Sequence, residues 1–250
     1  MSLLGGLSPE QLAIALAAAL GAAFVRGLAG FGMAILLVPV LALAIPPAEA
    51  VVVANWLGVL IGLVGLRAIL GASEPSALRI SVLAMLATPL GVWLLALAEP
   101  ALARMLIAAI ALGSFVLVLL PKRHEHHAPS AIETGATGVM SGVLTGFAGM
   151  PGPPVVPYYL RRTIPPALAR ASMMTIFLAT SVAGVVAASA LGVATLREPA
   201  LAALLFPAVL LGNWLGNHAF GRVSDTAWRS FTGAVLGLAA LAALWRLLQG

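Results

Sequence analysis

Cysteine is absent from all 250 residues, which excludes disulfides and thiolate metal sites but leaves the compartment open. Charge is scarce too: Asp, Glu, Lys and Arg make up 8% of the chain, against about 25% in an ordinary soluble domain. The acidic residues Glu10, Glu49, Glu74, Glu99, Glu125, Glu133, Glu198 and Asp225 all fall at predicted helix ends or loops, so a buried carboxylate relay is not evident. No Walker loop, His-Glu-x-x-His helix or nucleophile elbow occurs, so the usual catalytic signatures are missing and no cofactor or enzymatic activity is implied. The first ten residues contain no Lys or Arg, so the apolar stretch after them lacks the basic flank of a cleavable signal peptide and reads as a retained membrane segment.

What is present is apolar. Hydrophobic residues are 62% of the chain, and a mean hydropathy of +1.10 means that lipid has to cover most of the surface. The fold class that follows is an all-α polytopic membrane protein without sheet, since a lipid-exposed backbone must satisfy its own hydrogen bonds. A net charge of +5 would point to nucleic acid in a soluble protein. Here the basic residues lie in short loops between apolar runs, and membrane orientation explains them better, with lipid rather than nucleic acid as the partner.

Apolar runs bounded by Pro, Gly or charge fall at about 9–26, 30–46, 49–70, 76–97, 101–120, 131–148, 151–163, 166–191, 198–219 and 226–248, five in each half. The runs 30–46 and 151–163 are short, as expected of half-helices or re-entrant segments. With the N-terminus outside, the inner loops collect Arg26, Arg67, Arg79, Lys122, Arg123, Arg161, Arg162, Arg170, Arg222 and Arg229, leaving Arg104, Arg197 and Arg246 outside. That bias fits basic residues held on the cytoplasmic side. An odd number of spans per half inverts the second half relative to the first. The expected organisation is thus two inverted repeats, 1–121 and 131–250, with a cytoplasmic linker at 122–130 and both termini outside. Landmarks recur at an offset of about 118–121 residues: Pro39 with Pro157, Ile45-Pro46-Pro47 with Ile164-Pro165-Pro166, and Gly91-Val92-Trp93 with Gly212-Asn213-Trp214. The linker residues His124, Glu125, His126 and His127 resemble a metal tract but have no second ligand cluster, so they read as solvated loop and no metal site is expected.

The first pair of segments in each half carries the functional signal. AAFVRGLAGFGMAILLVPVLALAIPP at 22–47 and GVMSGVLTGFAGMPGPPVVPYYLRRTIPP at 138–166 are two versions of one apolar helix interrupted at mid-length. A break inside the bilayer exposes backbone groups that lipid cannot satisfy, so it must face protein or a wet cavity. A helix restarting there presents free N–H groups and the positive end of its dipole, which suits an anion without a basic side chain. Candidate substrate-binding positions at the breaks are Gly30, Phe31, Gly32 and Met33 in the first half and Gly146, Phe147, Gly149, Met150, Pro151, Gly152 and Pro153 in the second. Arg26 either assists anion capture or anchors the chain at the inner face. Asn55, Asn213 and Asn217 either bind substrate or bond helix to helix. Tyr158 or Tyr159 could aim a hydroxyl at the site, His218 could carry a proton, and Trp56, Trp93 and Trp214 suit interface anchors or, as the other reading, pocket walls.

On the stretches GLAGFGMAILLVP at 27–39 and GVLTGFAGMPGPPVVPYYL at 142–160, with the block Gly212-Asn213-Trp214-Leu215-Gly216, the chain resembles the sulfite exporter TauE/SafE family, the TSUP permeases. The resemblance implies an inner-membrane carrier of bacteria or archaea that moves sulfite, sulfonates or related organosulfur anions, commonly outward. Family members often carry a run of glycines after the first break, where this chain has Gly30-Phe31-Gly32-Met33-Ala34, and the bulkier Met33 bears on pocket size. Carried onto this sequence, backbone amides around Gly30 to Met33 and Gly149 to Pro154 would hold the anion, Phe31 and Phe147 would shape the cavity, and Asn55, Asn213 and Tyr158 would add hydrogen bonds. An anion channel, or a carrier for another small anion such as a carboxylate, stays as the alternative. Proton coupling, and a monomer or homodimer as the oligomeric state, are left open.

Overall fold

The computed structural model describes residues 7–67, 71–119 and 129–219. Among them run nine helices: α1 (Pro9–Ala29), α2 (Met33–Ala44), α3 (Pro47–Val64), α4 (Pro75–Leu97), α5 (Pro100–Leu119), α6 (Ala131–Ala148), α7 (Gly152–Leu160), α8 (Pro166–Ala190) and α9 (Arg197–Ala219). Eight of the first nine apolar runs each correspond to one helix, the exception being 49–70, where α3 stops at Val64 and a turn at Gly65 follows; no strand occurs among the described residues. The run expected at 226–248 lies outside the described residues, as do the linker residues Lys122 to His127, Arg222, Arg229 and Arg246.

Local chemistry sets the ends. Pro9, Pro47, Pro75 and Pro166 open α1, α3, α4 and α8, where a missing N–H costs nothing and φ is preset for a helix. Ser8 and Gln11 cap the start of α1 reciprocally, at 3.2 and 2.9 Å. Gly30 ends α1 at φ +84°, donating its N–H to the Arg26 carbonyl at 2.7 Å. Gly149 ends α6 at φ +69°, its N–H donating to the Thr145 carbonyl at 2.8 Å and the Met150 N–H to the Leu144 carbonyl at 3.2 Å, so the last carbonyls of the helix are satisfied. Both breaks therefore begin at a glycine in the left-handed region, which other L-residues rarely adopt.

Five helices, α1, α3, α4, α8 and α9, are long and apolar enough to cross a bilayer. At 1.5 Å per residue α2 spans about 18 Å and α7 about 14 Å, short of the roughly 30 Å hydrocarbon core. The outer surface is apolar: Leu78, Val82, Leu86, Leu90, Trp93 and Leu97 stand exposed along α4, and Trp214 and Leu211 along α9.

The closest packing is between α1 and α9 and between α4 and α6. Both seams are built on glycine. A methyl group at Gly27, Gly212 or Gly216 would overlap the carbonyl of Asn213, Leu20 or Phe24 across the α1–α9 contact. One at Gly91, Gly142 or Gly146 would overlap that of Val143, Ala84 or Thr88 across α4–α6. Small residues at such contacts let backbones approach, the main packing device available in lipid. Inside these two pairs lie α2, α3, α7 and α8, so both short helices sit toward the centre of the bundle.

Candidate functional site

The two breaks open onto one cavity. Its lining comes from Arg26 on α1, Phe31 and Gly32 at the first break, Met33 to Ile35 in the first turn of α2, Gly149 to Pro151 at the second break, and Gly152 at the start of α7; Ala54, Gly58, Phe177 and Ser181 of α3 and α8 close it. Its volume is about 50 Å³. A water needs at least roughly 10–15 Å³ by the same measure, so the space suits a few waters or one anion of a few heavy atoms.

Donors are unevenly divided between the two breaks. In α2 the first bond back into the helix is from Leu36 N–H to the Gly32 carbonyl, which leaves the amides of Met33, Ala34 and Ile35 over, all on the cavity wall. No side chain caps this end. At the second break, the Gly149 and Met150 amides are taken by carbonyls of α6, and Pro153 and Pro154 have no N–H to offer. Gly152 is the residue there whose amide remains at the head of α7. The sequence treats the breaks as equivalent anion cradles, whereas the first has most of the amides.

Arg26 supplies the charge. It is 6% exposed, lines the cavity, and donates from Nη1 to Asn213 Oδ1 at 2.9 Å. Among the described residues it has no further hydrogen bond and no carboxylate within ion-pair distance. A guanidinium at this depth is costly without a counter-charge. Beside it Arg170 of α8 donates to the Gly27 carbonyl at 2.7 Å and to Asn217, while its stem packs on Gly30. The α9 amides Asn213 and Asn217, one turn apart, thus each receive an arginine.

The sequence candidates separate by location. Arg26, Phe31, Gly32, Met33, Gly149, Met150, Pro151 and Gly152 line the cavity. Gly30 lies just behind, under Arg170. Asn55 neighbours the lining residue Ala54, is 2% exposed, and packs against Gly184 with its Nδ2 unpaired. Gly146 belongs to the α4–α6 seam, and Phe147 packs against the core formed by α1, α2 and α3. Pro153 is in the first turn of α7, off the lining. Tyr158 points away, its hydroxyl 3.0 Å from Thr134 Oγ1 at the head of α6. His218 is outside the cavity, its ring 4.3 Å from that of Trp214. The sequence reading missed Ala34, Ile35, Ala54, Gly58, Phe177 and Ser181, which carry no individual signal in an apolar helix.

A second polar cluster ties down the far end of α7. Arg162 donates to both carboxylate oxygens of Glu74 and lies 5.7 and 6.0 Å over the rings of Tyr158 and Tyr159. The hydrogen bonds to Glu74 hold its guanidinium above the usual range. Ser76 joins Tyr159 to Glu74 through contacts of 2.9 Å, and the Glu74 amide donates to Ser172 of α8 at 2.9 Å.

Compared with known families, residues 15–243 match the model described as Sulfite exporter TauE/SafE. No curated protein and no solved structure matches the chain.

Proposed function

The chain belongs to the sulfite exporter TauE/SafE family, and from that premise we propose that it is a secondary transporter carrying sulfite, a sulfonate or a related small sulfur anion across the cytoplasmic membrane, outward in its usual direction, by alternating access. The observation that carries this reading is Arg26: a cation 6% exposed, facing a cavity at the two helix breaks, with an amide rather than a carboxylate as its partner. Such a cation, with three unclaimed amides of α2 beside it, favours an anionic guest. In this reading Arg26 and the α2 amides hold the anion, Gly32, Gly149 and Gly152 let it reach the backbone, and Phe31, Met33, Met150 and Pro151 set the shape. Gly30, Asn213 and Asn217 fix the two arginines. Asn55 waits beside the cavity, while Gly146, Phe147, Pro153 and Tyr158 hold the scaffold.

The proposal takes 1–121 and 131–250 as inverted repeats with a cytoplasmic linker and outer termini. Its support is an exchange of partners: the first helix of each half packs on the fourth helix of the other, α1 on α9 and α6 on α4, through glycines in both cases. Rocking of one half against the other would then expose the cavity to each side in turn.

The test is flux into liposomes of sulfite, thiosulfate, sulfonates, sulfate and carboxylates, with and without a pH gradient. Saturable sulfite flux with counterflow, reduced roughly 10- to 100-fold in apparent affinity by Arg26→Gln, is the expected result. Full flux in that variant would overturn the reading, and non-saturating conductance would make the protein a channel.

A further inference from the structure

Ser181 lines the cavity from α8 at 6% exposure, and its hydroxyl makes no hydrogen bond among the described residues. Its neighbours behave differently. On the same helix Ser172, Thr175, Thr180 and Ser189 each donate to a carbonyl three or four residues back, at 2.8 to 3.2 Å. That back-bond is the default for a hydroxyl with no water at hand.

The facing helix makes room for the exception. A methyl group at Gly58 of α3 would overlap Ser181 Oγ, so the absence of a side chain there is what lets the hydroxyl stand at the cavity. One turn along the same seam the roles reverse: Gly184 of α8 accommodates the carboxamide of Asn55, whose Nδ2 is also unpaired. Two glycine-for-polar exchanges thus leave a hydroxyl and an amide without partners beside the cavity.

We propose that Ser181, held in the notch of Gly58, contacts the substrate and selects small oxyanions that carry one negative charge and one O–H group. This rests on the anion-carrier reading above and adds which protonation form is bound. The Arg26 guanidinium and the α2 amides can only donate, so they grip oxygens bearing charge but offer nothing to an acidic O–H. Among the lining side chains Ser181 carries the oxygen that both donates and accepts. It receives the ligand's proton while Arg26 takes the charged oxygens. Arg26 is the guanidinium on the cavity wall, Arg170 being turned to the Gly27 carbonyl and Asn217, so one negative charge is matched there and a dianion would bring a second into a low-dielectric site. A volume of about 50 Å³ confines the choice to anions of a few atoms.

The experiment compares hydrogensulfite and hydrogenselenite with nitrate and chlorate, monoanions of similar size without a proton to give. Flux is measured in liposomes at one mildly acidic pH for the wild type, Ser181→Ala, Gly58→Ala and the double variant. Ser181→Ala should reduce the preference for the protonated anions roughly tenfold or more. Gly58→Ala should reproduce the effect by displacing the hydroxyl, and should add little once Ser181 is already alanine. Ser189→Ala, on the same helix, should leave the preference intact. If the alanine variants fail to accumulate, Ser181→Cys serves instead, since a thiol is a weak donor and acceptor of nearly the same shape. An unchanged preference in Ser181→Ala or Ser181→Cys overturns the inference. If Arg26→Gln still lowers the apparent affinity for sulfite, the carrier reading survives that failure; if Arg26→Gln is also without effect, both fall.

Discussion

The guanidinium of Arg26 on α1 donates to the side-chain oxygen of Asn213 on α9 at 2.9 Å, across 187 residues of sequence. An amide aims the cation without cancelling its charge. Asn213→Asp, close in shape but anionic, should therefore weaken sulfite binding more than Asn213→Ala, by tenfold or more in apparent affinity. The comparison of KM for flux in the two variants checks it.

Alanine at the two left-handed glycines should be unequal in cost. Both positions carry the backbone penalty of about 1–2 kcal/mol. At Gly30 the new methyl also strikes the Arg170 stem, whereas at Gly149 the nearest atom is a Val38 methyl at 3.3 Å. Gly30→Ala should unfold at the lower temperature of the two, as measured on detergent-solubilised protein.

The glycine seams predict a second ordering. Gly142→Ala would drive a methyl into the Ala84 carbonyl, while Gly113 and Gly135 have open space around them. Thermal unfolding should fall in the first variant and hold or rise in Gly113→Ala and Gly135→Ala, by up to about 1 kcal/mol each from helix propensity.

Glu74 accepts two hydrogen bonds from Arg162 and, through Ser76, reaches Tyr159. Glu74→Gln removes the ion pair and leaves a part-buried guanidinium half-satisfied, at a cost of about 1–3 kcal/mol. Stability should drop, with protease sensitivity rising first near Arg161 and Arg162; peptide mapping after limited digestion locates it.

Met33 forms one wall of a cavity too tight for a long substrate. Met33→Ala should widen it and raise flux of sulfonates with a carbon chain relative to sulfite. Equal selectivity in the two proteins would show that this wall does not set size.

Much of the architecture was legible because the chain punctuates itself. Prolines at helix starts and glycines at the ends of α1 and α6 are local devices, and they placed most boundaries within a few residues of the structure. The α3 end was less legible: the run to 70 reads as continuous, but the helix closes at Val64 with Gly65 as its cap. The breaks stood out because each couples a glycine stop to an apolar restart. Which glycines face the cavity did not. Gly146 and Gly149 look alike in sequence, yet one meets the Thr88 carbonyl and the other lines the cavity. Asn213 was open between two roles, and its partner is far away in sequence. Gly58 and Ser181 gain significance from facing each other, a relation with no trace in either segment.

The pairing of α1 with α9 also has a consequence for biogenesis. Helix α1 is synthesised ahead of its neighbour α9 and meets it after α2 to α8 have been made. Until then Arg26 lacks Asn213, and a lone guanidinium at the centre of a bilayer costs about 2.5–3.5 kcal/mol. Nascent chains therefore wait in an unfinished state that lipid tolerates poorly, and a product truncated ahead of α9 leaves α1 as an orphan, marked for quality control by its own unpaired arginine.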